Sequence, residues 1–170
     1  MAKDSFFIRG SSTAPGGSFV ETPIDIGHVV DALGKTVMRI HNISVQTYET
    51  LGQDWSVSGG NATSNISWQL TTQSKAGVGL VDATDRSVVA SGRLDLSNAQ
   101  ATANQWTSIS QHADIMPQHW TNGYLVGVDQ LYLLVSTDTQ LNQGTAAIVM
   151  ECTSETLSQS AAMSLALSQQ

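Results

Sequence analysis

The chain has 170 residues, carries a formal net charge of -7, and draws only 12% of its residues from Asp, Glu, Lys and Arg, against about 25% in an ordinary soluble domain. Its seven basic residues are scattered as Lys3, Arg9, Lys35, Arg39, Lys75, Arg86 and Arg93. That excludes the basic cluster needed to grip DNA, RNA or anionic lipid, so no direct nucleic-acid binding is expected.

Residues 1–17 read as an N-terminal arm and linker. Phe6, Phe7 and Ile8 form an apolar tip, and Gly10 to Gly17 reads as a loose Gly/Ser tether. Met1 to Ser5 has no apolar stretch of signal-peptide length, which predicts synthesis and folding in a cytoplasm. Ser18 to Ile26 reads as a strand that Pro23 confines to an edge or a strand end. Val29 to Gly34 is a short turn or a single helical turn closed by Gly34. Lys35 to Tyr48 is the longest strand-like run. Its apolar parity shifts between Met38/Ile40 and Ile43/Val45, which calls for a β-bulge near Asn42.

Leu51 to Ser64 is turn-rich, with its apex at Gly59-Gly60-Asn61. Ile66 to Thr72 alternates apolar and polar residues as a half-buried strand does. Leu80-Val81 begins a short strand, Asp82 to Arg86 is a turn, and Ser87–Ala90 and Arg93–Leu96 are two short strands around Ser91-Gly92. Asn98 to Gln105 is a helical turn or loop, and Trp106 to Ile109 a strand extension. Tyr124–Val128, Leu131–Thr137 and Thr145–Thr153 follow at sandwich spacing, the last two joined by a hairpin loop at Asp138–Gly144. Residues 18–155 thus predict an all-β antiparallel sandwich, a jelly roll of about eight strands. Residues 156–170 form a C-terminal tail. Its Met163, Leu165 and Leu167 alternate like a strand, while Leu157, Ala161 and Leu165 sit at helix spacing; docking on a neighbouring molecule is expected.

The sequence carries no GxSxG elbow, P-loop, HExxH or CxxC, so no catalytic residue, enzymatic activity or cofactor is expected. His112 and His119 lack a standard metal-ligand spacing. Asp82 and Asp85 read as turn residues rather than calcium ligands, so no metal is expected. Cys152, the only cysteine, sits in an apolar run and reads as a buried thiol. Of the four tryptophans, Trp68 alternates with Ile66 and Leu70 and belongs to the core. Trp55 and Trp120 lie in polar loops, where they fill pockets between subunits, stack on sugar rings or pack within the molecule.

A β surface so poor in charge is a liability for a free monomer and suits a molecule covered by its own copies. The interface residues expected on that reading are Phe6, Phe7, Ile8, Trp55 and Trp120. The apolar arm, the long strand Lys35–Tyr48, the late strands Leu131–Val135 and Thr145–Cys152 and the short tail together resemble the single jelly-roll major capsid proteins of tailless icosahedral viruses, the sphaerolipovirus-like group above all. The resemblance implies a virion structural protein that self-assembles into an icosahedral shell, alongside a second capsid protein and over an internal membrane, without enzymatic activity. The alternative is a carbohydrate-binding or receptor-binding β-sandwich module.

Overall fold

The computed structural model describes residues 4–31, 33, 35–53, 55, 63–97, 108–112 (backbone course) and 120–170. The expectations for Gly34, for the Gly59–Asn61 apex and for 98–105 fall outside them. Nine strands are found among the described residues: β1 (Phe6–Pro15), β2 (Phe19–Asp25), β3 (Thr36–Tyr48), β4 (Thr63–Thr71), β5 (Val88–Ser97), β6 (Ser108–His112), β7 (Tyr124–Val126), β8 (Gln130–Thr137) and β9 (Gln143–Thr156). A single helix, α1 (Gln159–Ser168), follows β9. It is too short to cross a membrane, and no other described helix is long and apolar enough to do so.

The strands form two sheets, one in the order β1-β9-β3-β7 and the other β2-β8-β4-β5-β6. The antiparallel pairs are nested along the chain. β1 pairs with β9 and β3 with β7 in the first sheet, while β2 pairs with β8 and β4 with β5 in the second. Such nesting, dealt alternately to two sheets, is a long hairpin wound around a barrel axis, which is the jelly roll. β6 extends the second sheet beyond β5.

Period-two burial builds the core between the sheets. Ile8, Met38, Ile40, Ala146, Ile148, Met150 and Cys152 come from one sheet and Ile24, Ile66, Trp68, Leu70, Leu94, Leu96, Leu131, Leu133 and Val135 from the other. Each fully buried aliphatic side chain contributes about 1.5–3 kcal/mol. The bulge lies where the parity shift puts it. The β3–β9 register slips between Ile40 and Asn42, leaving His41 as the extra residue. Pro23 sits on β2, an edge strand of its sheet, where a missing N–H costs least.

Five expectations are corrected. The run expected as a flexible tether is the second half of β1, paired residue by residue with β9 from Phe6↔Cys152 to Pro15↔Gln143. Its small residues answer to packing rather than to looseness. Ile8, Ser12 and Ala14 face inward, and a Cβ on Gly10 would stand 2.6 Å from Ile24 Cδ1 of the opposite sheet. The two short strands around Ser91-Gly92 are one strand, β5, continuous because Gly92 makes room for Trp68 on the neighbouring strand. Asp138–Gly144 is no hairpin: β8 and β9 belong to different sheets, so this connection crosses between them. Leu80-Val81 is not a strand; the Val81 backbone pairs instead with the Gln69 side chain, whose Nε2 donates to Val81 O at 2.6 Å and whose Oε1 accepts from Val81 N at 3.0 Å.

The fifth correction concerns the tail, which forms α1 and docks on the chain's own β7. Ser158 caps the helix by accepting a hydrogen bond from Ala161 N, and the Ala- and Leu-rich sequence favours the helical choice between the two periods.

The outer faces of the two sheets differ. Residues 72–87, between β4 and β5, fold back over the second sheet. Glu21 on β2 accepts from Ser74 Oγ at 2.6 Å and from Lys75 N at 2.5 Å, Gln69 on β4 holds Val81, and Lys75 pairs with Asp85 at 2.9 Å. Leu134, in register between Glu21 and Gln69, is fully buried on this outward side. On the first sheet Val37, whose neighbours Met38 and Ile40 are core residues, is likewise fully buried outside the core cluster, and Arg39 ties the 120–123 loop to β3 through Asn122 O.

The Gly92–Trp68 contact makes a direct test of the core. A Cβ at Gly92 would approach Trp68 Nε1 to 2.6 Å, so Gly92→Ala should destabilise the domain by about 1–3 kcal/mol, the usual cost of overpacking. Denaturant melts of the two proteins, followed by Trp fluorescence, measure it; an unchanged midpoint contradicts the packing.

Candidate interaction surface

The outer face of the first sheet is assembled by register, with Thr145 buried on it and Ala147, Val149, Glu151 and Tyr48 half-buried. Across β1, β9 and β3 the rows read Phe7–Glu151–Asn42, Arg9–Val149–Ser44, Ser11–Ala147–Gln46 and Thr13–Thr145–Tyr48. Arg9 and Glu151 are the charged residues in those rows. The remainder are small, hydroxylated or amide side chains with Phe7, Ala147, Val149 and Tyr48 among them. Thr13 and Thr145 share a hydroxyl hydrogen bond of 2.8 Å across the strands. The β1–β9 register runs without a bulge, and no Lys lies in these rows.

The residues expected at the interface scatter over this frame. Ile8 is a core residue, 9% exposed, opposite Met150. Phe6 is partly buried against the same core. Phe7 alone of the three turns outward, 53% exposed, with the Arg9 guanidinium 5.7 Å from its ring centroid. Trp55 is half-buried against the core. Trp120 is also half-buried against the core, its ring centroid 5.6 Å from that of Tyr124. Three inter-strand steps of about 4.8 Å separate β1 from β7, so Phe7 and Trp120 do not form one patch.

Beside Trp120 lies a cleft of about 510 Å³ lined by Arg39, His41, Thr121, Asn122, Gly123 and Glu155. Arg39 grips Glu155 in a two-pronged ion pair, Nε to Oε1 and Nη2 to Oε2, both at 2.7 Å, and its Nη1 donates to Asn122 O. The Glu155 carboxylate raises the Arg39 pKa, and the bulge residue His41 bonds Thr153 Oγ1 at 2.8 Å. These partners occupy one another and hold the Trp120 loop to β3 and β9. The sequence reading singled out Trp120 and missed Tyr124, its partner across the turn, and the Arg39–Glu155 pair. The last two are 116 residues apart and meet only through strand register.

Burial pushes the Cys152 thiol up to about 12, with the Glu151 charge adding to the effect, as suits a small hydrophobe rather than a nucleophile. Asp82 caps its turn by accepting from Thr84 N at 2.8 Å. Among the described residues no group of three or more His, Cys, Asp and Glu is placed to hold a metal. His119 lies outside the described residues and His112 is described by its backbone alone.

No protein-family model matches the chain, and no curated protein matches it. Among solved structures it is similar to one titled Desmodium yellow mottle tymovirus (7% identity, TM-score 0.33, 92% of this chain and 90% of that one). It is also similar to VP1 of Trichodysplasia spinulosa-associated polyomavirus (10%, 0.38, 89% and 95%) and to a structure titled turnip yellow mosaic virus (14%, 0.36, 92% and 95%). Likeness at this level carries no argument about function, and the jelly-roll assignment stands on the strand pairing.

The roof over the second sheet has a titratable fastening. Asp85 Oδ1 accepts from Ser87 Oγ at 2.7 Å and Ser87 N at 2.9 Å, and Oδ2 accepts from Lys75. These bonds, those from Ser87 first, hold its pKa well below the usual carboxylate range. A depressed folded-state pKa stabilises the fold above the unfolded value near 3.9, and that contribution is lost as pH falls through the folded value. Asp85→Asn should therefore melt earlier than wild type at pH 7, with the gap closing as pH drops below about 4. Denaturant titrations at several pH values measure the gap; one that stays constant refutes the fastening.

Proposed function

We propose that this chain is a non-enzymatic virion structural protein, a jelly-roll subunit that self-assembles into a closed capsid. The observation that carries the reading is the difference between its two sheet faces. One is roofed by residues 72–87 and fastened by Glu21, Gln69, Lys75 and Asp85. The other presents rows of Ser, Thr, Asn, Gln, Ala and Val across three paired strands. Such a face is cheap to dry, because few ions lose water when it meets another like it. A stable contact needs roughly 1,200–2,000 Å² in all, and several weak contacts per subunit add up in a closed lattice.

On this reading Phe7 is the exposed aromatic anchor on the first sheet, and Trp55 and Trp120 offer loop contacts. Ile8 and Phe6 act from beneath, by holding β1 in place. Icosahedral symmetry, a second capsid protein and an underlying membrane are the further elements that the sphaerolipovirus-like resemblance adds.

The test places like charges on the outer face of the first sheet. Ser44→Glu and Ala147→Glu, on neighbouring strands, should leave the monomer folded by circular dichroism. Like charges facing each other across an interface cost several kcal/mol, so the particle fraction should fall at least tenfold in sedimentation velocity and negative-stain microscopy. Phe7→Ser should weaken assembly less. Deleting residues 1–10 is unsuitable here, since it removes the first half of β1. Wild-type particle yield from the doubly charged variant rejects the face as an interface. A wild-type chain that stays monomeric at every salt and pH, yet quenches its Trp fluorescence saturably with simple glycans, rejects the capsid reading in favour of a sugar-binding module.

A further inference from the structure

β7 is an edge strand three residues long, paired on one side with β3. Its other side is closed by a side chain. Gln169 Nε2 donates to Leu125 O at 2.7 Å, and Gln169 Oε1 accepts from Gly127 N at 2.8 Å. The two backbone groups lie on one edge, two residues apart, so the Gln169 carboxamide stands where a peptide unit of a further strand would. Gln169 is only 4% exposed. Its own carbonyl accepts from Thr72 Oγ1 at 2.9 Å, and Gln170 O accepts from Arg86 Nη2 at 3.0 Å. Thr72 and Arg86 belong to the roof of the second sheet, so the segment ties the ends of both sheets together.

The attachment is narrow. Of the ten residues of α1, Ala162 alone is fully buried, and Ala162 is not part of the core cluster. Met163 and Leu167 are exposed. Close approach depends on Gly127, where a Cβ would lie 3.1 Å from Ala166 N and from the Leu165 side chain. The helix is therefore held at its far end by two glutamines and across one bare backbone position, while the sandwich packs without it.

We propose that residues 159–170 form a releasable strap that blocks the β7 edge against pairing with a second copy of the chain. With the strap docked, the Leu125 carbonyl and the Gly127 amide are used up within the molecule. With the strap away, the same groups become an open strand edge, and an open edge recruits another edge. Tyr124 lies under the strap. Burial raises its phenol pKa, partly offset by a hydrogen bond with Gln169, so its titration reports docking.

The test compares Gln169→Ala with the wild-type chain. Hydrogen exchange at the Gly127 amide should speed up at least tenfold in the variant, while the core amides of Ile148 and Met150 stay within twofold. Sedimentation at tens of micromolar should show added dimer relative to wild type, and the Tyr124 phenol should titrate lower. Gly127→Ala, which keeps Gln169 and crowds the helix from the strand side, should reproduce these changes. Unchanged Gly127 exchange overturns the proposal, and so does faster exchange without added association. Loss of core protection in both variants also overturns it, because the strap would then be part of the global fold. Association is scored against wild type, so a wild-type chain that never assembles would sink the capsid reading and leave the strap standing.

Discussion

Strand β9 is hydrogen-bonded along both of its edges, to β1 on one side and β3 on the other. Everything else in the first sheet takes its register from that double ladder. It turns the Gly/Ser/Thr run of β1 into ordered strand, because the ladder satisfies every second backbone group of residues that have little propensity of their own. It places the bulge at His41, since β3 must keep Ile40 and Ile43 on the core side while β9 runs on unbroken. The nested pairing of the remaining strands then leaves few ways to close the sandwich.

A chain with few ions must satisfy buried backbone groups by other means, and this one uses amides. Gln69 serves the Val81 backbone as a neighbouring strand would, and Gln169 does the same for β7. Near the crossover between the sheets, Asn142 Nδ2 donates to Glu49 Oε1 and Gln143 Nε2 to Glu49 O. A primary amide carries the same donor and acceptor as a peptide group, so Asn and Gln extend the ladders into loops without adding charge. The low ionic content and the coverage of the strand edges are thus two sides of one choice of residues.

Much of the fold was legible in the sequence. Alternation marked β4 and put Trp68 in the core, the parity shift located the bulge, and Pro23 announced an edge. Local rules failed where a distant partner decides the outcome. Gly10 looks like a flexible residue until Ile24 is set against it across the sandwich, and Gly92 looks like a break until Trp68 is placed beside it. The Asp138–Gly144 turn is sound as a turn, yet nothing within it tells which sheet each flanking strand joins. The surface was harder to read. Phe6, Phe7 and Ile8 form one apolar run, but strand alternation sends only Phe7 outward. The roof over the second sheet rests on Glu21 and Gln69, whose partners lie 53 and 12 residues away. Trp120 stood out by its size, while Tyr124, which fixes its ring, did not.

Cys152 lies sealed between Phe6 and Ile40 in the ladder, and the sequence offers it no second thiol to join. No disulfide within this chain can therefore form or break as the redox potential around it changes. Its shape rests on strand pairing, packing and the side-chain fastenings at Glu21, Gln69, Lys75–Asp85 and Arg39–Glu155, none of which a disulfide exchange can reach.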